Sequence, residues 1–166
     1  MKKLFLHSFH TKFGTIHTAA TEKGLALISL PGESGKLFEG KIEKLFPDYE
    51  IHFRGNINKQ AQKQLVAYLD GQLKKFTLKL DIQASSFQRK VLKRVTKIPY
   101  GKTMTYGKIA RAIGHPKAYR AVGTANARNN LPIVIPCHRV IASSGLGGYG
   151  AGLEMKKKLL RLEGAL

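Results

Sequence analysis

Apolar and polar positions follow two different grammars along this chain. In the first thirty residues they alternate or cluster in short runs, which predicts strands over 3–10, 13–20 and 25–30. Thr11-Lys12 and Glu22-Lys23-Gly24 separate these runs as hairpin-like breaks, and Pro31-Gly32 ends them. Leu37, Phe38, Ile42, Leu45 and Phe46 then recur at helical spacing, with Pro47 closing the helix. A further strand is expected over 49–54, and a helix over 58–72 carries Ala61, Leu65 and Leu69 on one stripe. No nucleotide loop or ligand cluster interrupts this part, so it reads as a scaffold. Residues 73–83 alternate polar and apolar positions and read as a linker.

Beyond the linker the pattern changes to helices and turns. Ser85 or Ser86 can cap a helix with the core stripe Phe87, Val91, Val95 and Ile98, stopped by Pro99-Tyr100-Gly101. Thr105 caps a short helix over 106–113, which Gly114-His115-Pro116 ends, and a second short helix spans 117–128. Helix, tight turn, helix is a helix-turn-helix pattern, although many small helical hairpins bind nothing. The second helix is slim, with Ala118, Ala121, Gly123, Ala125 and Ala127, while Arg120, Thr124 and Arg128 fall four apart on one face. Such a helix either packs tightly on the core or enters a DNA groove. The fold class expected is α/β (α+β): a small mixed N-terminal α/β domain over 1–80, then a mostly helical domain over 81–166.

The run Pro132-Ile133-Val134-Ile135 reads as a buried strand that Pro136 must terminate. Cys137, the only cysteine, follows at once, with His138 and Arg139 next to it. A lone cysteine is most often a small buried hydrophobe. A thiol held at a strand exit beside an imidazole and a guanidinium has instead the setting of a nucleophile. Further on, 143–152 holds five glycines in ten residues without matching a P-loop or dinucleotide pattern, so it reads as a wall over the cysteine pocket. Tyr149 offers that pocket a ring face. The last helix, over 153–163, carries Lys156-Lys157-Lys158, which reads as a solvated face.

Charge sharpens the picture. The formal net charge is +19, and it is uneven: residues 1–80 hold 13 Lys/Arg against 7 Asp/Glu, residues 81–166 hold 16 against 3. Basic charge concentrated in one half is the footprint of a polyanion binder, and nucleic acid is favoured over anionic lipid because no amphipathic anchor is present. With one cysteine there is no intrachain disulfide and no resolving thiol, which fits a reducing cytosol and counts against disulfide exchange. Consecutive side chains seldom face each other, so Cys137 and His138 would communicate through a water, with Glu163 as a candidate orienter of the imidazole. Residue types leave open whether the thiol attacks an acyl or an alkyl group.

Residues 87–164 resemble the active domain of the O6-alkylguanine-DNA alkyltransferases, also called methylated-DNA–protein-cysteine methyltransferases. The matching stretches are Phe87-Gln88, 98–103, Thr105-Tyr106-Gly107, Arg120-Ala121-Val122-Gly123, 132–140 and Leu146-Gly147-Gly148-Tyr149. Residues 1–80 fit the family's N-terminal domain in size and element mixture. The resemblance implies a single-turnover DNA repair protein that moves the alkyl group of O6-alkylguanine onto Cys137. Its site would comprise Cys137, His138, Glu163 and Asn129 for the chemistry. Arg120, Tyr106, Thr124 and Arg128 would serve minor-groove binding and base flipping. Tyr149, Gly148, Pro132 and Val140 would line the alkyl pocket.

The implied partner is double-stranded DNA carrying O6-alkylguanine, with O4-alkylthymine as a second lesion to test. The protein would act as a monomer in the cytoplasm or on the nucleoid, with no metal, no cofactor and no membrane. Asn130, Ala151 and Leu92 depart from the residues common in the family, and none belongs to the implied relay. Two readings compete: a lesion sensor with a structural cysteine, and a thiol hydrolase that needs no DNA. Only alkyl transfer requires Cys137 to gain mass from alkylated DNA.

Overall fold

The structure, a computed structural model, describes all 166 residues and divides into two compact units, Met1–Gln83 and Ala84–Leu166. The first is built on a four-stranded sheet of β1 (Lys3–Thr11), β2 (Gly14–Thr21), β3 (Leu25–Ile28) and β4 (Glu50–Phe53), in the order β3-β2-β1-β4. β1 and β2 form a long antiparallel hairpin, and β4 joins β1 in parallel after crossing over through α1 (Gly35–Leu45). Ser34 caps α1 by accepting from the Leu37 N–H, and Phe38 and Ile42 bury its apolar stripe against Leu4, Ala19 and Leu27.

The helix α2 (Asn56–Leu69) begins after Gly55, whose φ of 89° strains any side chain and whose added Cβ would press the Phe5 ring at 3.2 Å. Asn58, fully buried, ties α2 to the sheet: its amide donates to the Phe5 and Arg54 carbonyls and its oxygen accepts from Thr18 Oγ1. The segment expected to be a linker is instead partly docked. Leu80 bridges Leu25, the Leu25 N–H donates to the Lys79 carbonyl and the Asp81 N–H to the Leu25 carbonyl across the β3 edge, and Thr21 Oγ1 donates to Asp81. Its polar–apolar alternation is that of an added edge strand rather than of a tether.

The second unit holds α3 (Ser86–Thr96), β5 (Met104–Thr105), α4 (Tyr106–Ala112), α5 (Tyr119–Ala127), β6 (Val140–Ile141) and α6 (Leu153–Leu162). Ser85 caps α3 through the Gln88 N–H, and Thr105 caps α4 through the Lys108 N–H. α4 ends in a Schellman motif: Gly114, at φ 81°, donates to the Arg111 carbonyl and His115 to Ala110. That sharp stop turns the chain into α5, which packs Val122, Ala125 and Asn126 inward. No helix is long and apolar enough to cross a membrane.

One sequence expectation fails here. The run Pro132–Ile135 is wholly buried, but it is a compact turn and not a strand. Ile133 takes a φ of 75°, a left-handed conformation costly for a β-branched residue, and the Ile135 amide folds back onto the Leu131 carbonyl. Asn129 holds this turn closed from both ends, accepting from the Leu131 N–H at 2.9 Å and donating to the Ile135 carbonyl at 2.9 Å. An apolar run signals burial; it cannot distinguish a strand from a buried turn.

Candidate active site

The turn delivers Cys137 into a single 3₁₀ turn, Cys137–Arg139, that is buried throughout. The Cys137 amide donates to the Ile135 carbonyl, and its own carbonyl accepts from the Asn126 amide of α5 at 3.2 Å. The Cys137 backbone is therefore fixed to the helix-turn-helix through Asn126, a residue the sequence does not single out, beside the tie that the resemblance implies through Asn129. Burial pushes the thiol above its ordinary value; hydrogen bonds from Asn129 and Tyr149 and the charge of Lys156 pull the other way. The resting group is a thiol, so the site needs a proton acceptor.

His138 and Glu163 meet directly, Nε2 to Oε2 at 2.6 Å, with both side chains fully buried. Glu163 sits at the C-cap of α6, stopped there by Gly164 in a second Schellman motif. A carboxylate at a helix C-terminus opposes the helix dipole, and Arg139 offsets that: its Nε and Nη2 grip the two oxygens at 2.8 and 3.0 Å. Nη1 of Arg139 donates to the Ile98 carbonyl at 2.7 Å, and the Gly101 N–H adds a fourth bond to Glu163 at 3.2 Å. Gly101 follows Pro99-Tyr100 in a turn closed by Lys102 N–H to the Pro99 carbonyl, with φ 78° and the Glu163 carbonyl 3.0 Å from where a Cβ would lie.

Arg139 is thus turned into the Glu163 pair, contrary to its expected role beside the thiol. Sequence adjacency does not fix side-chain direction in a 3₁₀ turn. Burial lowers the His138 pKa below its ordinary value, against the upward pull of Glu163, so the ring is neutral near pH 7. A carboxylate gripped by arginine can only accept, which places the ring proton on Nε2 and makes Nδ1 the basic nitrogen.

Tyr106 opens α4 half-buried, and burial raises its phenol pKa while the Gly148 backbone hydrogen-bonds its oxygen. Gly147, at φ 74°, lets the same hydroxyl approach: a Cβ there would lie 2.9 Å from it. Tyr149 reaches the thiol from this loop; Gly148 is exposed, while Pro132 and Val140 are buried. Arg120, Thr124 and Arg128 all lie exposed on one face of α5 and its C-cap, together with Ala121 and Ala127. Gln88 of α3 braces this helix, its amide donating to the Ala125 and Arg128 carbonyls. The structure therefore brings Cys137, Asn129 and Tyr149 together, pairs His138 with Glu163, and sets the arginine face on a separate exposed surface.

Lys156 departs from its expectation. It is fully buried, and its Nζ donates to the carbonyls of Val140, Leu146 and Gly148. Three consecutive lysines look like a solvated face, yet helical geometry points one of them inward. No group of three His, Cys, Asp or Glu side chains gathers in a way that could hold a metal ion.

Comparison with known proteins agrees with this geometry. Residues 86–165 match the family model for the 6-O-methylguanine DNA methyltransferase DNA binding domain, and residues 4–82 the model for its ribonuclease-like domain. A methylated-DNA–protein-cysteine methyltransferase of Methanosarcina barkeri is 54% identical over 161 residues, covering 96% of this chain and 97% of its own. One from Methanosarcina acetivorans is 42% identical over 158 residues, covering 95% and 96%. The crystal structure of Mycobacterium tuberculosis OGT in complex with DNA superposes with a TM-score of 0.82 at 34% identity, covering 97% of this chain and 93% of that one. Both domains and nearly the full length are matched in order: this chain belongs to the methylated-DNA–protein-cysteine methyltransferase family.

Proposed function

We propose that the protein repairs O6-alkylguanine in duplex DNA by taking the alkyl group onto Cys137, once per molecule. The observation that carries this reading is a buried thiol next in sequence to a buried, carboxylate-paired imidazole, on a family-matched chain with a single cysteine. The thiol proton passes through a water to His138 Nδ1, and Glu163 stabilises the imidazolium that results. Sulfur then displaces guanine at the alkyl carbon, forming the C–S bond as the C–O bond breaks. The departing guanine takes a proton from the Tyr106 phenol, its candidate donor, and the phenolate is reprotonated at the expense of the His138 imidazolium through solvent. The thioether has no good leaving group, so the chain is spent. Residues 84–166 carry DNA binding and transfer, and residues 1–83 serve as scaffold. Acting on DNA, the protein would work in the cytoplasm or on the nucleoid, one chain per lesion.

Binding is assigned to the exposed face of α5. Alanines at 121 and 127 keep it slim enough for the minor groove, and Arg120 projects to fill the stack left by a flipped nucleotide. Flipping is required because the O6 substituent is otherwise stacked inside the duplex. Substituting Arg120→Ala should slow repair of duplex DNA by about 10-fold or more, as expected for losing about 1.4 kcal/mol or more of flipping support. The reaction with free O6-methylguanine base should be unchanged within about twofold. Equal slowing of both reactions in single-turnover assays would refute the finger role.

A further inference from the structure

Lys156 enters the chemistry above only through the pull of its charge on the Cys137 thiol, yet its surroundings are unusual for a lysine. It lies in the first half of α6 with no exposed surface. Its three N–H donors meet three backbone carbonyls: Val140 at 2.6 Å, Leu146 at 2.5 Å and Gly148 at 3.2 Å. None of these partners is a carboxylate. A neutral amine has two donors and a lone pair that would oppose the third carbonyl, so only the ammonium satisfies the arrangement. Burying that charge is costly, and an apolar side chain would fill the slot without the cost.

What the ammonium holds is informative. Val140 opens β6, three residues past Cys137. Leu146 and Gly148 flank Gly147, the residue against which the Tyr106 hydroxyl packs, and Gly148 hydrogen-bonds that hydroxyl through its own backbone. Tyr149 follows directly and reaches the thiol. We propose that Lys156 is a positioning residue for alkyl transfer: its ammonium clamps segment 146–149 to Val140, setting Tyr149 and Tyr106 around the Cys137 thiol, and the clamp opens when the ammonium loses its proton.

Burial brings the Lys156 pKa down to about 8, against an upward pull from Cys137. The titratable groups around it are Cys137 and His138 from the 3₁₀ turn, Tyr106 from α4 and Tyr149 from the loop; Arg139 and Glu163 are paired with each other. Burial keeps His138 neutral at this pH and raises both the Cys137 thiol and the Tyr106 phenol, so none of these three mimics the lysine's release. The sign is fixed: the clamp is complete below about pH 8 and is lost above it.

This inference rests on the methyl-transfer reading for its consequence but not for its first test. Amide hydrogen exchange of the wild-type chain, corrected for intrinsic base catalysis, should show protection at 147–149 falling about tenfold or more between pH 7 and 9 while α3 holds steady. Unchanged protection through pH 9 would overturn the clamp, whatever the protein does to DNA. Single-turnover methyl transfer from an O6-methylguanine duplex is the second readout. Lys156→Met should keep duplex affinity within about twofold and slow transfer about tenfold or more. The wild-type rate should also show an inflection near pH 8 that Lys156→Arg, whose charge persists, lacks. Transfer by K156M at the wild-type rate would refute the positioning role, as would equal losses in affinity and rate. Failure of the wild type to transfer at all, with exchange still pH-dependent, would sink the methyltransferase reading and leave the clamp standing.

Discussion

Replacing Glu163 by glutamine is the sharpest test of the buried network. The substitution keeps the size of the side chain and one acceptor oxygen, removes the charge and presents an NH₂ to groups that are all donors. Those donors are His138 Nε2 at 2.6 Å, Arg139 Nε and Nη2 at 2.8 and 3.0 Å, and the Gly101 N–H at 3.2 Å. Arg139 is 6% exposed, so its guanidinium would be left charged with little access to bulk solvent in place of the carboxylate. Removing one partner of a buried pair costs about 3–5 kcal/mol. Arg139 keeps the Ile98 carbonyl and the glutamine oxygen still serves one donor, so the lower end, about 3 kcal/mol, is expected. Against a total stability of about 5–15 kcal/mol this is a large fraction. Urea unfolding followed by circular dichroism should show the midpoint falling by about 1 M or more. A loss below about 1 kcal/mol, the range of exposed ion pairs, would refute the claim that this pair is a buried unit. The double variant Arg139→Met/Glu163→Gln should recover part of the loss, since no buried charge is then stranded; strictly additive losses would contradict the pairing.

Two further outcomes follow from the same geometry. Burial depresses the His138 pKa, so as pH falls below its ordinary 6.5 the unfolded chain takes up a proton that the folded chain refuses. Stability should therefore decline below pH 6.5 with a limiting slope of about 1.4 kcal/mol per pH unit from this group, and thermal unfolding of His138→Asn should lose that component. An unchanged slope in the variant would assign the acid sensitivity elsewhere. Gly101 and Gly114 share a positive φ, 78° and 81°, but only Gly101 faces an obstacle, the Glu163 carbonyl 3.0 Å from a new Cβ. Gly114→Ala should cost about 1 kcal/mol of backbone strain and Gly101→Ala measurably more, read as the difference in urea midpoint. Equal costs would show that the turn accommodates the methyl group.

The elements that local chemistry terminates were legible in the sequence. Ser85 and Thr105 each carry a hydroxyl at a helix start, Gly114 supplies the left-handed residue that ends α4, and these three place the helix-turn-helix within a residue or two. The pairing of His138 with Glu163 was legible as a possibility, since Glu163 is one of very few acids in a basic half. Other features depend on tertiary packing that no window of residues reveals. Ile133 adopts its left-handed backbone because Asn129 clamps both ends of the turn, so an apolar run became a turn and not a strand. Arg139 faces Glu163 and Lys156 faces three carbonyls because α6 returns alongside the 3₁₀ turn. Residues 79–81 pair with Leu25 because the β3 edge is open to them.

The central claim is covalent, so mass decides it most directly. Intact protein incubated with a duplex holding one O6-methylguanine should gain one methyl group, mapped to Cys137 by peptide fragmentation and saturating at one per chain. Cys137→Ser should bind the same duplex and gain nothing. An unmodified wild-type chain still bound tightly to the lesion, or a methyl group mapped to any other residue, would contradict alkyl transfer to Cys137.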